Sequence, residues 1–282
     1  CLDVGKNTGI NVTYSHTGTA QSVVVRTDGG KLTVNAAADT LKRYGTADSV
    51  QITAIAPQSY HEYGTVIGNI ELASGRVVME SGSTAAAIKI TAEVDKIKDG
   101  TATIAVDNKT SNVSVVVPEE VKTAIDDSKN SQNTLPTTNV IANDTVIDNM
   151  NKFAGGLGTE ASPYLIENYD QLSNIKTDND AYFKLMADIV IEKDAKVAIG
   201  GDKCVVTHFN GTLDGNGYSI TNNYEVSGSC VWFALFDIAG NVTVKNLTLN
   251  YGRTWFNMIS NLSGNLTLEN IVLKSDSEVL DL

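Results

Sequence analysis

Apolar residues in this 282-residue chain fall at alternate positions in short runs, the two-residue period of a β-strand with one buried face. In residues 1–117 a series of such pairs repeats: Leu32/Val34, Val50/Ile52, Ile70/Leu72 and Ile88/Ile90, at intervals of 18, 20 and 18. Val23 to Val25 and Val77 to Met79 supply further strands between the pairs. The spacing fits coils of a narrow β-helix with two or more strands each, and it also fits the strands of a β-sandwich. The pattern closes at the apolar run Val113 to Val117, which Pro118 stops.

Residues 118–151 read differently. Glu119 and Glu120 lead a helix-like turn from Val121 to Ile125, after which the chain runs through "DDSKNSQNTLPTTN", so a polar linker or strap is expected. In residues 152–282, Asn168 is an N-cap candidate for a short helix that places Leu172 and Ile175 on one face. "YFKLMADIVI" then resumes strand alternation.

The segments "GYSITNN", "NVTVKNL" and "NLTLENI" align with one another, bringing Asn222, Asn246 and Asn270 to a common position at intervals of 24. Ile220, Val244 and Leu268 form one apolar column, Tyr218, Val242 and Leu266 a second, and Ser219, Thr243 and Thr267 a polar column between them. A helical repeat would show spacings of three and four; a period of 24 with strand alternation is that of one coil of a β-solenoid. The expected fold is all-β, a right-handed parallel β-helix in two segments joined by the polar linker with its short helix. Like residues of stacked coils then lie one strand spacing apart, and Asn222, Asn246 and Asn270 are expected to form a hydrogen-bonded side-chain ladder.

Composition narrows the function classes. With 33 acidic against 21 basic residues the net charge is -12, and only Arg26, Arg43, Arg76 and Arg253 are arginines. Such a surface repels phosphate backbones, so no nucleic-acid partner is expected. No run approaches the ~20 apolar residues of a membrane-spanning helix. Three cysteines without a CxxC spacing make neither a disulfide scaffold nor a zinc site. Cys204 and Cys230 are 26 apart, which allows a bridge between neighbouring coils or two separate thiols. Cys1 reads either as the lipid-bearing first residue of a bacterial lipoprotein or as an arbitrary boundary, the chain being expected to be a piece of something longer.

The stretches "KFAGGLGTEASPYLIENYDQLSNI", "YFKLMADIVI" and "FNGTLDGNGYSI", between Phe153 and Ile220, resemble bacterial cell-surface parallel β-helix proteins with GLUG-type repeats. "FALFDIAG", from Phe233 to Gly240, departs from the family's later "GLFG"-like element. The resemblance implies an extracellular adhesin or structural stalk whose partners are environmental or host glycans or surface proteins. It leaves residues 1–117 uncovered.

Candidate chemistry is sparse. β-Helix polysaccharide lyases and hydrolases cluster aspartates beside a basic residue; here Asp188, Asp214 and Asp237 with Arg253 are the candidates for that alternative, and Asp214 reads more simply as a turn residue of "LDGNG". "DGNG" lacks the acidic ligands that complete a calcium loop, and Asp178 and Asp180 read as a solvated turn. His16, His61 and His208 have no metal-ligand spacing. No catalytic residue, metal site or cofactor is expected. The binding candidate is "SYHEY", whose Tyr60, His61, Glu62 and Tyr63 bring aromatic, imidazole and carboxylate groups together and could stack on a sugar ring; the alternative is aromatic packing at a coil corner.

Overall fold

The computed structural model describes residues 2–3, 9–56, 60–110, 113–195, 198–199, 203–224, 233–251 and 256–275. The chain divides into two compact units, Cys1–Asp148 and Asn149–Leu282. It is mostly β, 47% strand against 13% helix, with parallel sheets and, among the described residues, no closed barrel, an architecture compatible with an all-β solenoid.

In the first unit the chain alternates between two sheets. The first sheet stacks Leu2–Asp3, Ser22–Asp28, Thr40–Ala47, Tyr60–Glu62, Gly75–Met79 and Ile104–Asn108 in that order, with Thr65–Val66 also pairing with Thr40–Ala47. The second stacks Val12–Ser15, Lys31–Ala36, Ser49–Ile55, Asn69–Leu72, Ala87–Ile90, Val115–Val117 and Val140–Ala142. Every pairing is parallel, which removes the antiparallel sandwich as the account of these strands. The apolar pairs read from the sequence are the interior columns of the second sheet: Leu32, Val50, Ile70 and Ile88 are in register, and all four are fully buried. Burying each such side chain stabilises the fold by about 1.5–3 kcal/mol relative to leaving it exposed.

Residues 118–148, expected as a linker, instead belong to the first unit. A helix spans Glu119–Asp127 and buries Val121, Ala124 and Ile125 in the core, and Val140–Ala142 pairs in register with Val115–Val117. The polar run between them is a long excursion from one coil, and its Thr134 still bridges Ala105 of the first sheet.

The second unit uses three sheets. One stacks Tyr164–Ile166, Tyr182–Leu185, Thr212–Asp214, Val242–Lys245 and Leu266–Glu269; a second stacks Ile189–Ile191, Ser219–Asn222, Thr248–Tyr251 and Val272–Ser275. The third contains Lys203–Phe209, Phe233–Ala239 and Phe256–Leu262, edged by the antiparallel pair with Ala198–Ile199. The short helix appears at Tyr169–Ser173, with the Asn168 side chain accepting from the Gln171 N–H and with Leu172 and Ile175 fully buried. Ahead of it, Gly158 has φ +72°, and a Cβ there would lie 2.3 Å from the Tyr164 ring, so the glycine-rich opening lets that ring pack against backbone.

The Asn ladder is shorter than its sequence period suggests. Asn270 Nδ2 donates to Asn246 Oδ1 at 3.0 Å, and Asn246 Nδ2 donates to Asp214 Oδ1 at 3.0 Å. Asn222 lies elsewhere, buried at the end of the second sheet's Ser219–Asn222 and in register with Ile191 and Tyr251. The true partners of Val244 are Leu213 and Leu268, and those of Ile220 are Ile189 and Leu249. A second ladder, unforeseen, joins the turns before the first sheet of this unit: Asn265 and Asn241 donate to Asn241 and Asn210 Oδ1, and Asn210 Nδ2 to Asp180 Oδ1.

Asn246 also sits at φ 53°. Asn246→Gly, which keeps that backbone conformation and removes the amide, is expected to cost about 1 kcal/mol for the lost ladder bonds. Asn246→Leu adds about 1–2 kcal/mol for the left-handed backbone. Equal melting temperatures for the two variants would mean that φ contributes nothing.

Candidate binding face of the first sheet

Strand alternation splits "YHEY" in two. Tyr60 and Glu62 point inward and are fully buried; His61 and Tyr63 point outward. Inside, Glu62 receives a bidentate pair from Arg43, Nε to Oε2 at 2.6 Å and Nη2 to Oε1 at 2.7 Å, together with Tyr60 O–H at 2.7 Å and Gly64 N–H at 2.6 Å. Arg43 Nη1 also donates to Thr27 Oγ1, whose hydroxyl donates to the Thr46 carbonyl. Burial and the neighbouring Glu62 carboxylate push the Tyr60 hydroxyl well above its ordinary range. Tyr60 and Glu62 are therefore structural, and neither can touch a ligand.

The outer surface is built by register. Lys42 lies opposite His61, so Tyr44 lies opposite Tyr63, and their rings stack at 4.8 Å with planes 8° apart. His61 continues the ledge, 6.5 Å from Tyr63 and inclined by 18°. Its Nδ1 is 2.8 Å from Glu80 Oε1, and Lys109 Nζ donates to Glu80 Oε2 at 2.7 Å. Hydrogen bonds from Lys109 and His61 outweigh burial and hold the Glu80 carboxyl below its usual range. One strand further, Arg76 pairs with Asp107. Tyr63 is 38% exposed, leaving an aromatic ledge on the outer side of the sheet. Tyr44 was missed in the sequence because it is 19 residues away; adding one coil length to each member of the cluster would have found it.

The other candidates are occupied. Asp188 accepts from the Ser219 N–H and hydroxyl, bonds that hold its carboxyl below the usual range. Asp214 belongs to the Asn246 ladder and to its own turn, and Asp237 accepts from Asn261 at 3.1 Å. Asp178 accepts from Tyr164 O–H and Asn149, and Asp180 from Asn210. Each carboxylate serves a different turn or coil contact. Cys1, Cys230 and Arg253 lie outside the described residues. Among the described residues no group of three metal-ligating side chains converges, and no helix is long and apolar enough to cross a membrane.

A second histidine is held by a buried acid. His16 Nδ1 is 2.9 Å from Asp39 Oδ2, Tyr14 O–H donates to the same oxygen at 2.6 Å, and Gln21 N–H donates to Oδ1 at 2.8 Å. Burial opposes the charge on Asp39, but the bonds from Tyr14, Gln21 and His16 prevail and hold its carboxyl below its ordinary value; burial and Asp39 raise the Tyr14 hydroxyl to about 12. Since the folded-state value is the lower one, the stabilisation from Asp39 is complete above the unfolded value near ~3.9 and is lost as pH falls through the folded value. Melting temperature should fall on acidification below about pH 4, and less steeply in Asp39→Asn. Parallel acid profiles for the two proteins would rule out this contribution.

No family model matches the chain, and no solved structure matches it. A protein of Evansella cellulosilytica, whose name describes it as a Gly-rich membrane protein, is 33% identical over 103 residues, covering 34% of this chain. The match takes in 12% of that protein's length.

Proposed function

We propose that the chain is a non-catalytic adhesion or structural module of a bacterial cell surface, extracellular, which binds glycan or protein ligands on the outward face of its first sheet. The stacked rings of half-buried Tyr44 and exposed Tyr63, on the outer side of a sheet whose inner side is locked by the Arg43–Glu62 pair, carry the reading. Aromatic ledges of this kind offer large contact area with a polar rim, and a sheet held from beneath loses little entropy on binding. The GLUG-type resemblance of Phe153 to Ile220 supports the surface location. The solenoid is taken as right-handed because parallel crossovers within one sheet are so in nearly all proteins.

Tyr63→Ala is the test. Its side chain points outward, so stability should fall only by the worth of the Tyr44 stack, about 0.5–1.5 kcal/mol, while retention on an array of glycans and matrix proteins should fall by about fivefold or more, the worth of roughly 1 kcal/mol of stacking. Undiminished retention, or an array on which the parent chain captures nothing, would overturn the reading.

A further inference from the structure

The geometry points to a carboxylated sugar, a uronate unit of an acidic polysaccharide, as the ligand of this face; the inference rests on the glycan-binding reading above. Lys42 stands beside His61 on the neighbouring strand and two residues before Tyr44 on its own, all three on the outer side. Arg26 is in register with Tyr44 on the other flank. Arg26, Tyr44 and Tyr63 thus form a row across three strands, spanning two strand spacings or about 10 Å. Lys42 sits alongside that row.

Charge on this face is arranged in closed pairs and open cations. Glu80 is taken by Lys109 and His61, and Asp107 by Arg76. Among the described residues neither Lys42 nor Arg26 forms a salt bridge. Asp3 lies in register with Arg26 on the side away from Tyr44, and Asp28, two residues on from Arg26 and in register with Thr46, accepts from the Thr46 hydroxyl. Toward the tyrosines the unmatched charge is that of Lys42, reinforced by Arg26. On a chain of net charge -12, two cations that form no salt bridge among the described residues, set beside the stacked Tyr44–Tyr63 pair, form a site for a ring that carries an anion. The C–H side of a pyranose would lie over the outer edge of the Tyr44–Tyr63 stack, and its carboxylate would accept from Lys42 Nζ and the Arg26 guanidinium.

The test measures binding of the intact chain to oligogalacturonate, alginate and hyaluronan oligomers, each beside its carboxyl-reduced counterpart. At least one acidic form should bind about tenfold more tightly than its reduced partner, and Lys42→Ala with Arg26→Ala should erase that ratio while leaving melting unchanged. Equal binding of acidic and reduced forms, lost in Tyr63→Ala, would overturn the carboxylate assignment and leave the binding face standing. Binding of neutral glycans or matrix proteins alone would do the same. Capture of nothing by the parent chain would overturn both.

Discussion

Glu62→Gln is expected to destabilise the first unit by about 3–5 kcal/mol, the largest loss from any near-isosteric change in this unit. All donors to Glu62 converge on a carboxylate with no solvent access: two guanidinium N–H groups, one phenol and one backbone N–H. An amide keeps the shape but turns one acceptor into a donor that must face a donor, and it leaves the buried Arg43 charge uncompensated. The cost belongs to breaking the pair and not to the pair's net worth. Replacing Arg43, Tyr60 and Glu62 together by Met, Phe and Leu should therefore recover most of the loss. Urea denaturation of the parent, the single variant and the triple variant separates these cases. A single variant within 1 kcal/mol of the parent, or a triple variant no better than the single one, would contradict the description of a closed, dry ion pair.

The same network explains what could and could not be read from the sequence. Four neighbouring residues of promising chemistry looked like one patch, yet the two-residue period of a strand sends Tyr60 and Glu62 to the core and His61 and Tyr63 to the surface. The binding face is assembled across coils, from Tyr44 with Tyr63 and Lys42 with His61, at the spacing of 19 that also joins Arg43 to Glu62. The coil length was legible in the apolar pairs of the second sheet, because those columns are buried and their register is fixed by packing. Outward residues carry no such signature, so the partner of Tyr63 went unseen.

In the second unit the interval of 24 is real only between the last two coils, where Asn246 meets Asn270. Earlier coils are longer: Leu213 pairs with Val244 and Ile220 with Leu249, intervals of 31 and 29, because longer excursions separate the strands there. Asn222 matched the interval by coincidence of a strand end with a turn. The ladder of Asp180, Asn210, Asn241 and Asn265 was hidden for the same reason, since its steps of 30, 31 and 24 show no constant period. In residues 118–148 a polar run masked Val121, Ala124, Ile125 and Val140, four core contacts spread thinly through hydrophilic sequence. Composition averaged over a window does not register so sparse an anchor.

Phe209→Ala is expected to cost about 3–5 kcal/mol in the second unit. Phe209 is 1% exposed and stacks on Phe236 at 4.3 Å with planes 16° apart, while Phe183 lies 6.0 Å away on its other side. Phe183 in turn touches Tyr164 at 5.7 Å and Phe153 at 5.5 Å, so the rings run through successive coils as one continuous column. Truncation at Phe209 removes two aromatic contacts and leaves a cavity between parallel strands whose separation is fixed by their backbone hydrogen bonds; the walls cannot close on it. Phe209→Leu fills most of that volume without the stacking and should lose less than half as much. If Phe209→Ala and Phe209→Leu lost the same stability, the column would owe its strength to ring stacking alone and the cavity account would fail.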